Sequence, residues 1–111
     1  MQIGILLTSS PEHANTHTVG QLSSGFLKAG HGVQIFLMDD GVYNAVRIPS
    51  KNRLFSNLDQ LAAQGAKIYL CAVTAEARGL GQEDFLEGVE LSSQYELSHL
   101  VEQSDRFLAF G

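Results

Sequence analysis

The chain carries one cysteine, Cys71, and it lies in an apolar run, Lys67 to Val73, beside Ile68 and Leu70. Two readings compete for it. Free cysteine is among the most buried residue types, so Cys71 can serve as a small core hydrophobe. The other reading rests on position. A short helix expected over Thr74 to Arg78, ended by Gly79, starts a few residues later. Its unpaired N–H groups and the positive end of its dipole would favour a thiolate. A thiolate is the nucleophile needed to attack the sulfur of a disulfide or persulfide. Arg78 would support that thiolate with fixed positive charge, or meet the acidic surface of a partner. Against this stands the plain alternative of a solvated arginine near a helix end, where cations are common.

The remaining reactive groups are sparse. His13 and His17 are four apart at the start of the first expected helix, where they could share a face and hold a metal. No third and fourth ligands stand beside them, so the sequence assigns no metal and both are read as solvated. His31 sits between two glycines in a turn and His99 on an expected helix, and neither is given a role. Thr8-Ser9-Ser10-Pro11-Glu12 follows the first strand, where hydroxyls cradle the flavin phosphate in flavodoxin-like domains. This loop lacks glycine, and Glu12 would repel a phosphate. Tyr43 and Phe55 are the aromatics left to flank a flavin ring. The motif is weak and no cofactor is assigned. No Ser/His/Asp set and no Walker-type loop is present.

These residues must be held by a scaffold, and the hydrophobic pattern describes one. Gln2 to Leu7 is a short apolar run suited to a strand buried on both faces. Val19, Leu22, Phe26 and Leu27 recur at helical spacing, and Gly30 and Gly32 stop that helix. Val33 to Met38 is a second strand, closed by the turn residues Asp39-Asp40-Gly41. Val42 to Phe55 reads as irregular with one helical turn. Ser56 with Asp59 makes a capping box before a short helix whose stripe is Leu58, Leu61 and Ala62. Lys67 to Val73 is the third strand and Val89 to Leu91 a short fourth. Ser93 with Glu96 makes a second capping box, before a helix carrying Leu97, Leu100 and Val101. Arg106 to Phe110 is the last strand. Alternating strands and helices predict an α/β fold with a mainly parallel sheet covered on both faces. Such sheets react at the carboxyl ends of their strands, which singles out the loop Thr8–His17, the loop Asp39–Asn44 and the segment Cys71–Arg78.

Composition narrows the function classes. With 111 residues, 44% of them hydrophobic and 17% charged, the chain fits one globular domain spanning 1–111. No apolar stretch approaches the roughly 20 residues of a membrane helix. The start, Met1-Gln2-Ile3-Gly4, shows no signal-peptide pattern. A single cysteine rules out an internal disulfide, so a reducing cytoplasmic setting is expected. The net charge of −5, with no basic run, argues against nucleic acid as a direct partner.

Three segments, taken in order, resemble the DsrE/DsrF/TusD family. Asp39-Asp40-Gly41-Val42-Tyr43-Asn44-Ala45 is similar to the family's stretch after its second strand. Cys71-Ala72-Val73-Thr74-Ala75-Glu76-Ala77-Arg78-Gly79 resembles its cysteine motif, the most specific of the three. The helix from Leu91 onward with Asp105-Arg106-Phe107-Leu108-Ala109-Phe110 resembles its ending. The resemblance implies a three-layer α/β/α, Rossmann-like fold on a five-stranded sheet, assembled as a homotrimer or as a hetero-oligomer with paralogous subunits. It also implies that Cys71 carries a persulfide, taken from one sulfur-relay protein and passed to another, in sulfur oxidation or tRNA thiolation. With no second cysteine, a loaded sulfur could leave only to another molecule. The residues Val42, Tyr43, Val46, Ile48, Leu54 and Phe55 are expected at the assembly surface. The competing function is a non-catalytic oligomeric subunit or small-ligand binding module on the same scaffold. A sulfur buried among apolar side chains would favour that second reading.

Overall fold

In the computed structural model, which describes residues 1–47 and 56–111, the strands are β1 (Gln2–Leu7), β2 (Gly32–Leu37), β3 (Lys67–Cys71), β4 (Val89–Ser92) and β5 (Arg106–Phe110). The helices are α1 (Ala14–Lys28), α2 (Leu58–Ala63), α3 (Ala72–Ala77) and α4 (Gln94–Gln103), with 3-10 segments at Asp39–Ala45 and Gln82–Asp84. The strands form one five-stranded sheet in the order β4-β3-β2-β1-β5, and every pair is parallel. The first four strands step outward from β1 in sequence order, and β5 returns to its other side. The architecture is the expected α/β fold with helices on both faces.

Strand alternation sorts the core into two unequal halves. Ile3, Ile5 and Leu7 of β1, Val33, Ile35 and Leu37 of β2, and Ile68 and Leu70 of β3 point to one face. There they meet Val19 of α1, Leu58 and Leu61 of α2, and Ala75 of α3. The opposite face has Phe36 and Cys71 fully buried, under Leu100 of α4, with Leu6, Met38, Tyr69, Leu97 and Phe107 half-buried around them. One helix closes that second face because Gly4 lets it come close. A Cβ on Gly4 would lie 2.5 Å from Leu100 Cδ2 and 2.4 Å from Ser104 Oγ.

Several local expectations are corrected. The third strand stops at Cys71 and not at Val73, because the chain turns directly into α3; Val73 is a helical residue, 73% exposed. Neither expected capping box forms. The cap of α2 is Asn57, while the Ser56 hydroxyl donates to the Asn44 carbonyl at 3.0 Å; Ser93 caps α4 through backbone bonds alone. The reciprocal bond appears instead at Gly81, whose N–H donates to Asp84 Oδ2 at 2.8 Å. The helical turn expected in the stretch from Val42 is the end of the 3-10 segment Asp39–Ala45. Beyond it Val46 bridges antiparallel to Phe85, and Leu86 N–H donates to the Ala45 carbonyl. Val42, expected at an assembly surface, is core; Val46 packs against that core and Tyr43 is 37% exposed. Ile48, Leu54 and Phe55 lie outside the described residues.

Candidate functional site

Cys71 is delivered to the carboxyl edge of the sheet by β3 and occupies the cap position of α3, with extended backbone (φ −73°, ψ 114°). Its side chain makes no capping hydrogen bond. The parity of β3 explains why. Lys67, Tyr69 and Cys71 share one face, and Ile68 and Leu70 the other, so the sulfur turns toward α4 and not toward the start of α3. It is 2% exposed, between Phe36 and Leu100. Met38 and Leu97 are among the half-buried side chains packed against that cluster. Gln94 at the start of α4 reaches Met38, its Nε2 lying 3.9 Å from Sδ. Tyr95 of α4 and Val73 of α3 are exposed large hydrophobics, at 89% and 73%.

Arg78 stands at the far end of α3 and faces the loop after β2. Its Nε and Nη2 donate to Asp40 Oδ1 at 3.3 and 3.0 Å, and its Nη1 donates to the Thr74 carbonyl at 3.2 Å. The guanidinium thus ties α3 to the 3-10 segment Asp39–Ala45. Asp40 is 38 positions from Arg78, and no spacing in the sequence joins them.

That 3-10 segment contains two residues whose importance spacing did not reveal. A Cβ on Gly41 would come within 2.1 Å of the Leu7 carbonyl oxygen, so only glycine allows the segment to lie against the end of β1. Asn44 is fully buried, and its amide donates to the carbonyls of Ser9 at 2.9 Å and Gly41 at 3.1 Å. It fastens the loop after β1 to the loop after β2. Both residues lie in the motif Asp39–Ala45; an amide and a glycine just past a strand were the available signal.

The loop after β1 does not present a free phosphate cradle. Thr8 N–H and Oγ1 both donate to the Phe110 carbonyl, and Ser9 Oγ and the Asn15 amide donate to the Gly111 carbonyl. Ser10 Oγ donates to Glu12 at 2.7 Å, and this bond holds the Glu12 carboxyl below its ordinary value. The crevice between β1 and β5, where an open sheet of this order would take a ligand, is filled by the chain itself. Tyr43 is placed in the 3-10 segment, and Phe55 lies outside the described residues. His13 is the exposed cap residue of α1 and His17 is exposed one turn later. Among the described residues no group of three or more His, Cys, Asp or Glu is placed to hold a metal, and no helix is long and apolar enough to cross a membrane.

A wholly parallel, open α/β sheet with a single thiol closing its third strand belongs to the class of small Rossmann-like domains. The comparisons make the assignment specific. The DsrE/DsrF-like family model matches residues 1–110, and the chain belongs to that family. It is similar to an uncharacterized protein of Methanopyrus kandleri, with 33% identity over 97% of this chain and 93% of the relative. An uncharacterized protein of Methanocaldococcus jannaschii is 29% identical over 99% and 100%. Among solved structures, the ychN protein of E. coli superposes with a TM-score of 0.81 at 23% identity, covering 99% of this chain and 100% of that one. A protein of unknown function from Methanobacterium thermoautotrophicum gives 0.70 at 19%, covering 96% and 97%. At those identities the structures share the fold.

Proposed function

We propose that this DsrE-family chain is a sulfur-relay subunit in which Cys71 carries the sulfur, closed in the isolated subunit and opened by the partner that gives or takes it. The observation that supports this reading is the placement of the chain's sole cysteine, at the end of an inner strand, under a cover of half-buried side chains at the carboxyl edge. In the loading step the Cys71 thiolate attacks the terminal sulfur of a donor persulfide. A new S–S bond forms on Cys71, the donor's S–S bond breaks, and the electron pair leaves with the donor's thiolate, so no external oxidant is needed. Handing on the sulfur reverses these roles with an acceptor thiolate. A persulfide is more accessible and more acidic than the thiol it extends, which suits a group that must be read at a surface. Arg78 acts as a positioning residue, holding α3 against the loop after β2. Assembly into a homo-oligomer, a trimer in this proposal, or with paralogous subunits would cover exposed apolar side chains such as Tyr95 and Val73.

One observation favours the second reading, an oligomeric or ligand-binding module without transfer chemistry: the sulfur is buried among apolar side chains. The two separate in one experiment. The protein is incubated with a cysteine desulfurase and its cysteine substrate, then analysed by intact mass spectrometry. The carrier gains the mass of one sulfur atom, lost on adding a reductant and absent in Cys71→Ala. Wild-type protein that gains none, alone or with a paralogous subunit from the same genome, belongs to the second reading. Light scattering that finds a monomer at micromolar concentration rejects the assembly.

A further inference from the structure

The sheet face that α4 covers changes character along its strands. Near the carboxyl edge it is apolar, with Leu6, Phe36 and Cys71. Near the amino edge the same face is polar. Gln2 of β1, Gln34 of β2 and Lys67 of β3 have the parity of Leu6, Phe36 and Cys71, and Gln34 and Lys67 are register partners. Parallel sheets are normally buried on both faces, and their inner strands read as apolar. β2 and β3 are inner strands, so a glutamine beside a lysine there breaks the pattern.

These side chains, with Gln103 and Ser104 at the end of α4, line a cavity of about 300 Å³. That is the lower end of the size range of small-molecule sites. Among the described residues the Lys67 ammonium forms no ion pair, and the amides of Gln2, Gln34 and Gln103 make no side-chain hydrogen bond. Ser104 Oγ donates to the Leu100 carbonyl at 2.6 Å and is left with acceptor capacity. No carboxylate lines this cavity. Two acids stand beside it: Asp105 Oδ2 accepts from the Gln2 N–H at 2.7 Å, and Glu90 lines the adjoining depression with Lys67 and Tyr69. The cavity therefore offers one positive charge and three groups that both donate and accept.

We propose that this cavity binds a small organic anion, a carboxylate or phosphate ester with further hydrogen-bonding groups. Its charged group pairs with Lys67, and the amides of Gln2, Gln34 and Gln103 hold its polar remainder. The site lies at the opposite edge of the sheet from Cys71 and stands independently of the sulfur reading.

The test is an ¹H–¹⁵N NMR titration at constant ionic strength, with inorganic phosphate in one arm and succinate in the other. The expected result is saturable shifts at Gln34, Lys67 and Gln103, with Kd of roughly 1 mM for such small probes. Saturation in one arm alone identifies the charged group as phosphate or carboxylate. Lys67→Met should weaken binding about tenfold, the loss expected for one charge-assisted contact, and Lys67→Gln serves as a second variant of similar reach. Glu90→Gln should tighten it, since it removes a negative charge from the depression that Lys67 also lines. Absence of saturable shifts in both arms overturns the proposal, as does binding unaltered by either Lys67 variant.

Discussion

Replacing Cys71 separates two environments that meet at its position. The residue caps α3, yet its side chain packs between Phe36 and Leu100 and leaves the cap bonds unmade. Cys71→Ala removes the sulfur from a closed cluster and leaves a small void, at a cost of about 1 kcal/mol, well below that of the larger Leu→Ala truncations. Cys71→Ser keeps the size but places a hydroxyl among apolar groups, which costs about 1–3 kcal/mol without a partner. Serine is a good cap residue, and turning toward the N–H groups of α3 would recover about 1 kcal/mol. It can do so only by leaving the cluster and opening the void that alanine opens. The serine variant should therefore lose at least as much stability as the alanine variant, about 1–2 kcal/mol. Urea unfolding reads this directly: with a slope near 1–1.5 kcal/mol/M, the midpoint should fall by about 1 M. If Cys71→Ser matches wild type while Cys71→Ala loses its full share, the sulfur faces the helix start and not the cluster. The burial argument would then fail. For sulfur-loading work alanine is the control whose stability is the less disturbed.

Three further outcomes follow from the same geometry. Gly41→Ala sets a Cβ against the Leu7 carbonyl, a backbone atom that cannot rotate away; it should cost about 3 kcal/mol and lower the melting temperature by roughly 10 °C, and a change near zero in calorimetry would contradict the close approach. Arg78→Gln should weaken only an exposed tie to Asp40, with a coupling of about 0.5 kcal/mol in a double-mutant cycle with Asp40→Asn. Alkylation of Cys71 should change no more than that lost stability accounts for, and a larger change would mean that the guanidinium's charge acts on the thiol. Burial, and then Glu90 and Glu96, push the Tyr69 hydroxyl above its ordinary value of 10.0. The folded protein then keeps a proton that the unfolded chain releases, so this contribution is complete below the ordinary value and is lost as pH rises through the folded one. Tyr69→Phe should flatten the alkaline fall in stability, and an unchanged curve would show that Tyr69 does not report it.

What was legible in the sequence is what short-range physics controls. The strands were readable, the first three as apolar runs of strand length, and three of the four helices by apolar stripes at helical spacing. Errors concentrate where a backbone choice depends on what lies across the fold. Ser56 has the chemistry of a cap, but the Asn44 carbonyl beside it draws its hydroxyl away. Val73 continues an apolar run, but the chain turns into α3 two residues earlier. The loop Thr8–Glu12 has the hydroxyls of a phosphate cradle, and the end of β5 has already taken those of Thr8 and Ser9.

The candidate site divides in the same way. By itself the sequence determined that there is one thiol, that it lies near the end of the third strand, and that a short helix follows. Those are consequences of residue type and local periodicity, and they brought Cys71 to the reactive edge of the sheet. Only the tertiary structure decided that the thiol is closed. Its face is set by strand parity, and that face is sealed by Leu100, which reaches the sheet because Gly4 carries no side chain. The partners that bury the sulfur come from β2 and from α4, near the far end of the chain, and no local pattern around Cys71 encodes a contact made across that distance.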